Sequence, residues 1–70
     1  MHRDTSSKRL GENLKKLRTK KKMSQGDISR KLGVDRAYIS SIENGRMNPT
    51  LTTLEKLAEA IGVNSSELIK

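Results

Sequence analysis

The chain has 70 residues, a net charge of +7, no cysteine and a single aromatic residue. This length fits one small domain, and without cysteine the chain has neither disulfides nor thiolate metal ligands. The one histidine, His2, stands in the N-terminal segment, so most nucleophile–base and metal-hydrolase schemes have no candidate residues. We therefore expect no enzyme, and no metal, cofactor or small-molecule ligand. No apolar run exceeds three residues, so we expect no signal peptide or membrane span, and a cytoplasmic protein.

Basic charge is concentrated at the N-terminal end of the chain. Residues 1–22 contain nine Lys or Arg against two acidic residues, whereas residues 23–48 and 49–70 have net charges of +1 and −1. A basic excess favours a polyanionic partner, because binding releases the counterions condensed on that partner. A solvated helix with a basic tail would have the same composition, so charge alone leaves both interpretations open.

The N-terminal third predicts a flexible tail followed by a helix. Residues 1–7 are polar and precede a single domain at 8–70. The leucines within residues 8–21 recur at helical spacing and form one apolar stripe: Leu10, Leu14 and Leu17. The lysines of this segment can add sequence-independent attraction to a polyanion: Lys15, Lys20, Lys21 and Lys22.

Two short helices follow, separated by a turn of three residues. Ser24 is a good N-cap with Asp27 three residues later, and Gly33 ends the second helix. Asp35 can cap a third helix, which ends at Gly45. Two short helices joined by such a turn are typical of a helix-turn-helix, although a generic corner in a small helical bundle has the same spacing.

The C-terminal part predicts two more helices. Pro49 breaks the chain, and Thr50 can cap a fourth helix that Gly62 ends. Its apolar stripe contains five residues: Leu51, Leu54, Leu57, Ala58 and Ile61. Asn64 with Glu67 resembles a capping box for a short fifth helix. No alternating pattern indicates a strand, so the sequence predicts an all-α domain of five helices.

The third predicted helix separates its side chains by size. Ile39 and Ile42 fall on its inner face, and Arg36 lies on a flank near its start. The outer positions carry short side chains: Ala37, Ser40, Ser41 and Asn44. Ser and Asn are poor helix formers, which argues that something other than stability selects them, although a weakly decorated surface helix has the same pattern. Short side chains let a helix backbone enter the major groove of DNA.

Each outer residue has chemistry that suits a base or a phosphate. The guanidinium of Arg36 can reach the O6 and N7 atoms of guanine, and Ala37 can contact a thymine methyl. Ser40 and Ser41 can donate or accept a hydrogen bond. Asn44 can read adenine or hold a phosphate at the rim of the groove.

Glu43 lies at the edge of the inner face, where a carboxylate without a cation would be costly. Arg18, near the end of the first helix, is the candidate partner. Such a buried pair fixes geometry more than it adds net stability.

Residues 10–69 resemble the Cro and lambda-repressor-like helix-turn-helix domain, also called the XRE type. The family's markers appear in order along the chain: "LR" at 17–18, "SQ" at 24–25, "LG" at 32–33, "IS.IENG" at 39–45, "NP" at 48–49 and "LEKLAEAIGV" at 54–63. The segment at 34–48 is closest in character to controller proteins of restriction–modification systems, and phage and chromosomal repressors share most of it.

This resemblance implies a compact five-helix domain with its helix-turn-helix at about residues 24–44, whose helix at about 35–44 enters the major groove. It implies the Arg18–Glu43 pair. It assigns base reading to four residues: Arg36, Ala37, Ser41 and Ser40. It assigns phosphate contacts to a second set: Ser24, Gln25, Tyr38, Asn44, Arg46 and Asn48.

The sequence therefore predicts a sequence-specific regulator of transcription, a repressor or controller, that binds double-stranded DNA. We expect a homodimer on a palindromic operator, because one domain of this size makes few contacts. Leu68 and Ile69 are candidates for the dimer interface or for the monomer's own core. The alternatives are a protein-interaction module such as an antitoxin, an RNA-binding module, and an enzyme.

Overall fold

The computed structural model describes residues 4–70, and their side chains from residue 6 onward. This part of the chain forms five helices and no strand: α1 (Asp4–Lys20), α2 (Gln25–Leu32), α3 (Arg36–Glu43), α4 (Leu51–Ile61) and α5 (Ser65–Leu68). The predicted all-α class with five helices is confirmed. Within these residues, none of the helices combines the length and hydropathy that a membrane crossing requires.

Helix α1 begins at Asp4 rather than at residue 8, which corrects the predicted boundary of the tail. Ser7 is only 4% exposed, and its hydroxyl donates to Oδ1 of Asn48 at 2.5 Å. This contact with a distant loop gives the polar first turn a surface to pack on, so residues 4–7 are helical. Residues 1–3 of the predicted tail lie outside the described residues.

The predicted N-caps occupy their positions, but two of them act through the backbone alone. The side chains of Ser24 and Thr50 accept hydrogen bonds at the starts of α2 and α4, as predicted. Asp35 and Asn64 make no side-chain cap bond at the starts of α3 and α5. The capping box expected at α5 is therefore wrong, and the amide of Glu67 instead bonds the backbone carbonyl of Asn64 at 2.9 Å.

Each of the first four helices ends in the same left-handed turn, closed by an amide that bonds the carbonyl five residues earlier. Glycine supplies the positive φ after α2, α3 and α4, at Gly33, Gly45 and Gly62. After α1 the left-handed residue is Lys22, with φ of 60°. An L-residue in this conformation costs roughly 1–2 kcal/mol, so the α1–α2 turn stores strain that the other three turns avoid.

All five helices contribute to one core: Leu10, Leu14, Ile28, Ile39, Ile42, Leu54, Leu57, Ala58, Ile61 and Leu68. Leu51 was expected to belong to it but is 70% exposed. Leu51 lies on the inner side of α4 by its helical angle, but it is the first residue of the helix. Burial also requires a neighbouring helix that extends as far as this end of α4. Leu68 is fully buried within the monomer, whereas Ile69 is 57% exposed.

Helices α1 and α3 approach so closely that only glycine fits between them. A Cβ atom on Gly11 would lie 2.5 Å from the carbonyl oxygen of Glu43 and 2.8 Å from its carbonyl carbon. Real Cβ contacts do not come this close, and both atoms belong to backbone that cannot move aside cheaply. Gly11 thus marks the position along α1 at which α3 can approach it this closely.

Candidate nucleic-acid interface

The outer face of α3 has the composition expected from the sequence. Ile39 and Ile42 are fully buried, and they fix the rotation of the helix about its axis. Arg36 and Ala37 are exposed at its N-terminal end. Three further residues continue this face toward the C-terminal end, the two serines half-buried and the asparagine exposed: Ser40, Ser41 and Asn44.

The C-terminal end of α3 is attached to α1 by the predicted ion pair. Nε and Nη2 of Arg18 donate to the two carboxylate oxygens of Glu43, at 2.6 and 3.0 Å. The side chains of Arg18 and Glu43 are 13% and 3% exposed. The hydrogen bond to this carboxylate raises the pKa of Arg18 above its already high value, so the guanidinium stays charged.

Two further contacts connect this pair to α2 and to the turn that precedes it, and sequence reasoning did not find them. The side-chain amide of Gln25 donates to Oε1 of Glu43 at 3.0 Å, and Nη1 of Arg18 donates to the carbonyl of Met23 at 2.8 Å. One carboxylate thus accepts from both α1 and α2. Gln25 and Glu43 are 18 positions apart, so no local pattern in the sequence links them, and Gln25 was assigned only to phosphate.

The N-terminus of α2 is ordered by a reciprocal cap. Ser24 Oγ accepts from the amide of Asp27 at 2.9 Å, and Oδ2 of Asp27 accepts from the amide of Ser24 at 2.8 Å. Oδ1 of Asp27 pairs with Nη2 of Arg30 at 2.6 Å. The hydrogen bonds from Ser24, first of all from its backbone amide, lower the pKa of Asp27. The cap keeps the first turn of α2 in place, where backbone amides attract anions.

The loop after α3 carries the other polar residues predicted to meet phosphates. Asn44, Arg46 and Asn48 are exposed, and Gly45 makes the turn between them. Tyr38 is half-buried and packs against the core, so its ring supports the fold as well.

The structure thus groups the predicted residues into three neighbouring sets. The base-reading set lies along α3, with Ser24 and Gln25 at the start of α2 and the polar loop residues past the end of α3. Among residues 4–70, no group of three or more His, Cys, Asp or Glu side chains is placed to hold a metal ion. A helix that presents short side chains on its outer face and is flanked by polar residues suits the groove of a polyanion.

Comparison with known proteins gives a consistent family. Control protein C.MunI of a Mycoplasma species is 46% identical over 61 residues, which cover 86% of this chain and 82% of the relative. The restriction-modification controller protein C.AhdI from Aeromonas hydrophila superposes with a TM-score of 0.84 at 35% identity, covering 89% of this chain and 94% of that chain. The controller protein C.Esp1396I was solved as a tetramer in complex with its natural 35 base-pair operator. One of its chains superposes with a TM-score of 0.79 at 30% identity, covering 94% of this chain and 97% of that chain.

A family model described as helix-turn-helix matches residues 14–68, which is most of the chain. The match includes α2, the turn and α3, whose geometry was described above. The chain therefore belongs to the helix-turn-helix family, XRE type.

Proposed function

We propose that this protein is a sequence-specific regulator of transcription that inserts α3 into the major groove of double-stranded DNA. The observation that carries this proposal is the outer face of α3, where short side chains are exposed or half-buried while the inner isoleucines and the Glu43 side chain are buried. A helix with such a face can bring its backbone close to the base edges. Its anchored end keeps the angle of entry constant.

In the proposed complex, α3 reads the sequence. Arg36 stands at the leading end of the helix and donates both arms of its guanidinium to a guanine. Ala37 contacts a thymine methyl, while Ser40 and Ser41 hydrogen-bond to neighbouring base edges. Asn44 lies at the opposite end of the face, near the rim of the groove.

Residues at the start of α2, within α3 and past the end of α3 fix the register of α3 against the DNA backbone. Ser24 and Gln25 place a helix N-terminus against one phosphate. Arg46 and Asn48 hold the backbone past the end of α3, and Tyr38 adds its hydroxyl. Such contacts carry no sequence information but determine where the reading helix stands.

We further propose that the protein binds as a homodimer to a palindromic operator, with half-sites roughly 34 Å apart. Eight residues of α3 touch few base pairs, so specificity needs two copies. Leu51 and Ile69 are the most exposed large apolar side chains among residues 6–70, and we assign them to that interface. The similarity to C.MunI and C.AhdI supports a restriction–modification controller that acts in the cytoplasm without catalysis or a cofactor.

Selection of bound duplexes from a random pool tests this function. We expect a palindromic consensus, and two protein chains on each selected duplex in sedimentation equilibrium. A duplex of the same base composition in scrambled order, measured at the same salt concentration, is the matched control. Equal affinity for the selected and scrambled duplexes would refute sequence-specific regulation. A consensus without symmetry would refute the dimer only.

A further inference from the structure

The first turn of α1 packs against the loop that follows α3. The buried hydroxyl of Ser7 donates to Oδ1 of Asn48, a residue 41 positions later in the chain. One residue on, the Cα atom of Lys8 lies 3.1 Å from where a Cβ on Gly45 would stand. The N-terminal turn of α1 is therefore part of the same surface as the polar loop residues.

The contact with Ser7 sets the orientation of the Asn48 amide. The hydroxyl donates to Oδ1, so Nδ2 forms the other branch of this exposed side chain. A phosphate oxygen needs a donor, and Nδ2 is the donor end of the amide. Pro49 also keeps the backbone of Asn48 extended. Backbone and side chain are both held before any ligand arrives.

Lys8 brings a positive charge to the same place. Its side chain is exposed, and its backbone touches Gly45, the residue between Asn44 and Arg46. Lys16 is also exposed on α1, but it points in a different direction. With about 100° per residue, Lys8 lies about 60° from Gly11 and Lys16 about 140° from it. Gly11 faces α3, so Lys8 stands on the side of α1 nearer to the reading helix.

We infer that the N-terminal turn of α1 belongs to the DNA-backbone surface, with Lys8 binding a phosphate and Ser7 positioning the amide of Asn48 for another. This inference rests on the proposed function and extends it to an element outside the helix-turn-helix. Lys8 is a direct contact. Ser7 acts only through Asn48.

The salt dependence of binding tests Lys8. For Lys8→Gln, the slope of log affinity against log salt on the selected duplex decreases in magnitude by about 1.8, because each of the two chains loses one phosphate contact of about 0.9 on duplex DNA. Lys16→Gln makes the same change of charge on the other side of α1 and leaves the slope unchanged. Equal slopes for the two variants, whether reduced or unchanged, would overturn the assignment of Lys8.

A double-mutant cycle tests Ser7. Ser7→Ala weakens binding of the dimer to the selected duplex about 25-fold, which is about fivefold, the size of one hydrogen bond, for each of the two chains. In the Asn48→Ala background, Ser7→Ala has no further effect on affinity. A general structural role would instead cost the same in both backgrounds. Thermal unfolding of every variant gives the folded fraction, and affinities are compared per folded molecule. Equal costs in the two backgrounds, or no cost in either, would overturn the positioning role.

Failure of this inference differs from failure of the proposed function. If the unmodified protein shows no preference for any duplex, the regulator itself is refuted, and the inference falls with it. If it binds its selected duplex tightly and the Lys8 and Ser7 variants bind equally well, only the role of the α1 turn is refuted.

Discussion

Arg18 and Glu43 join the end of α1 to the last residue of α3 through two hydrogen bonds, of 2.6 and 3.0 Å. Both side chains are largely removed from solvent. The Glu43 carboxylate also accepts from Gln25, so three helices meet at one charge. The orientation of α3 relative to α1 and α2 depends on this cluster.

Removal of one partner should destabilise the fold strongly, because the other charge would remain buried without compensation. We expect Arg18→Ala or Glu43→Ala to lower the free energy of unfolding by about 3–5 kcal/mol in urea denaturation. The double variant Arg18→Met/Glu43→Leu removes both charges and should lose far less than the sum of the two single changes. Additive losses would show that the two side chains do not act as a pair.

Gly11→Ala should destabilise the protein although alanine is the better helix former. The new Cβ would meet the carbonyl of Glu43, and overpacking of this kind costs about 1–3 kcal/mol or more. Gly26→Ala is the matched control, since its Cβ would lie 3.3 Å from the flexible end of Arg30 and in ordinary contact, 3.5 Å, with Oγ of Ser24. That variant should be neutral or gain up to about 1 kcal/mol. Thermal unfolding measures both, and equal effects would contradict the close helix crossing.

Lys22→Gly should stabilise the protein. Glycine removes a backbone strain of roughly 1–2 kcal/mol. It also makes the unfolded chain more flexible, which costs roughly 0.5–1 kcal/mol, so the free energy of unfolding should rise by about 0.5–1 kcal/mol. Lys22→Ala removes the same charge without relieving the strain, so it should not raise the melting temperature. If both variants melt at the same temperature, the effect comes from charge rather than from the backbone.

The acid stability of the protein should depend on Asp27, whose pKa is lowered in the folded state by hydrogen bonds from Ser24. A lowered carboxyl pKa stabilises the fold at pH values above the unfolded pKa of about 3.9. This contribution disappears as the pH falls through the lower folded value. Melting temperatures from pH 7 down to pH 2 should therefore fall more steeply for the natural protein than for Asp27→Asn. Parallel curves would contradict the assignment.

Arg36→Ala should relax base preference at one position of each half-site. A bidentate contact to guanine contributes about 1–3 kcal/mol of discrimination. Competition binding with operator variants, each changed at one base pair, measures this loss position by position. The proposed function fails to place Arg36 on a base if the variant weakens binding to all of these duplexes equally.

Local signals in the sequence predicted most of the fold. Helix caps and helix-ending glycines act within a few residues of their own position, so the sequence alone predicts them. Examples are the caps Ser24 and Thr50 and the glycines Gly33 and Gly62. The start of α1 was misplaced because the contact of Ser7 lies 41 residues away.

The positions of the candidate site residues in the fold were predictable to a similar degree. The helical angles of the α3 residues separated the buried side chains from the outer ones. Because a buried carboxylate without a cation is costly, Glu43 was predicted to pair with Arg18. The helical angle of Leu51 wrongly predicted that its side chain is buried, because an angle does not show whether another helix packs against that position. The close crossing at Gly11 depends on the distance between two helices, which no local pattern encodes.

None of the four short residues on the outer face of α3 is a member of the core: Ala37, Ser40, Ser41 and Asn44. The residues that hold the helix, Ile39, Ile42 and Glu43, face the other way. In a regulator that reads DNA through this face, binding preference and folding stability can change independently. Such a protein can acquire a new operator by single substitutions, one base position at a time, with little loss of folding stability at each step.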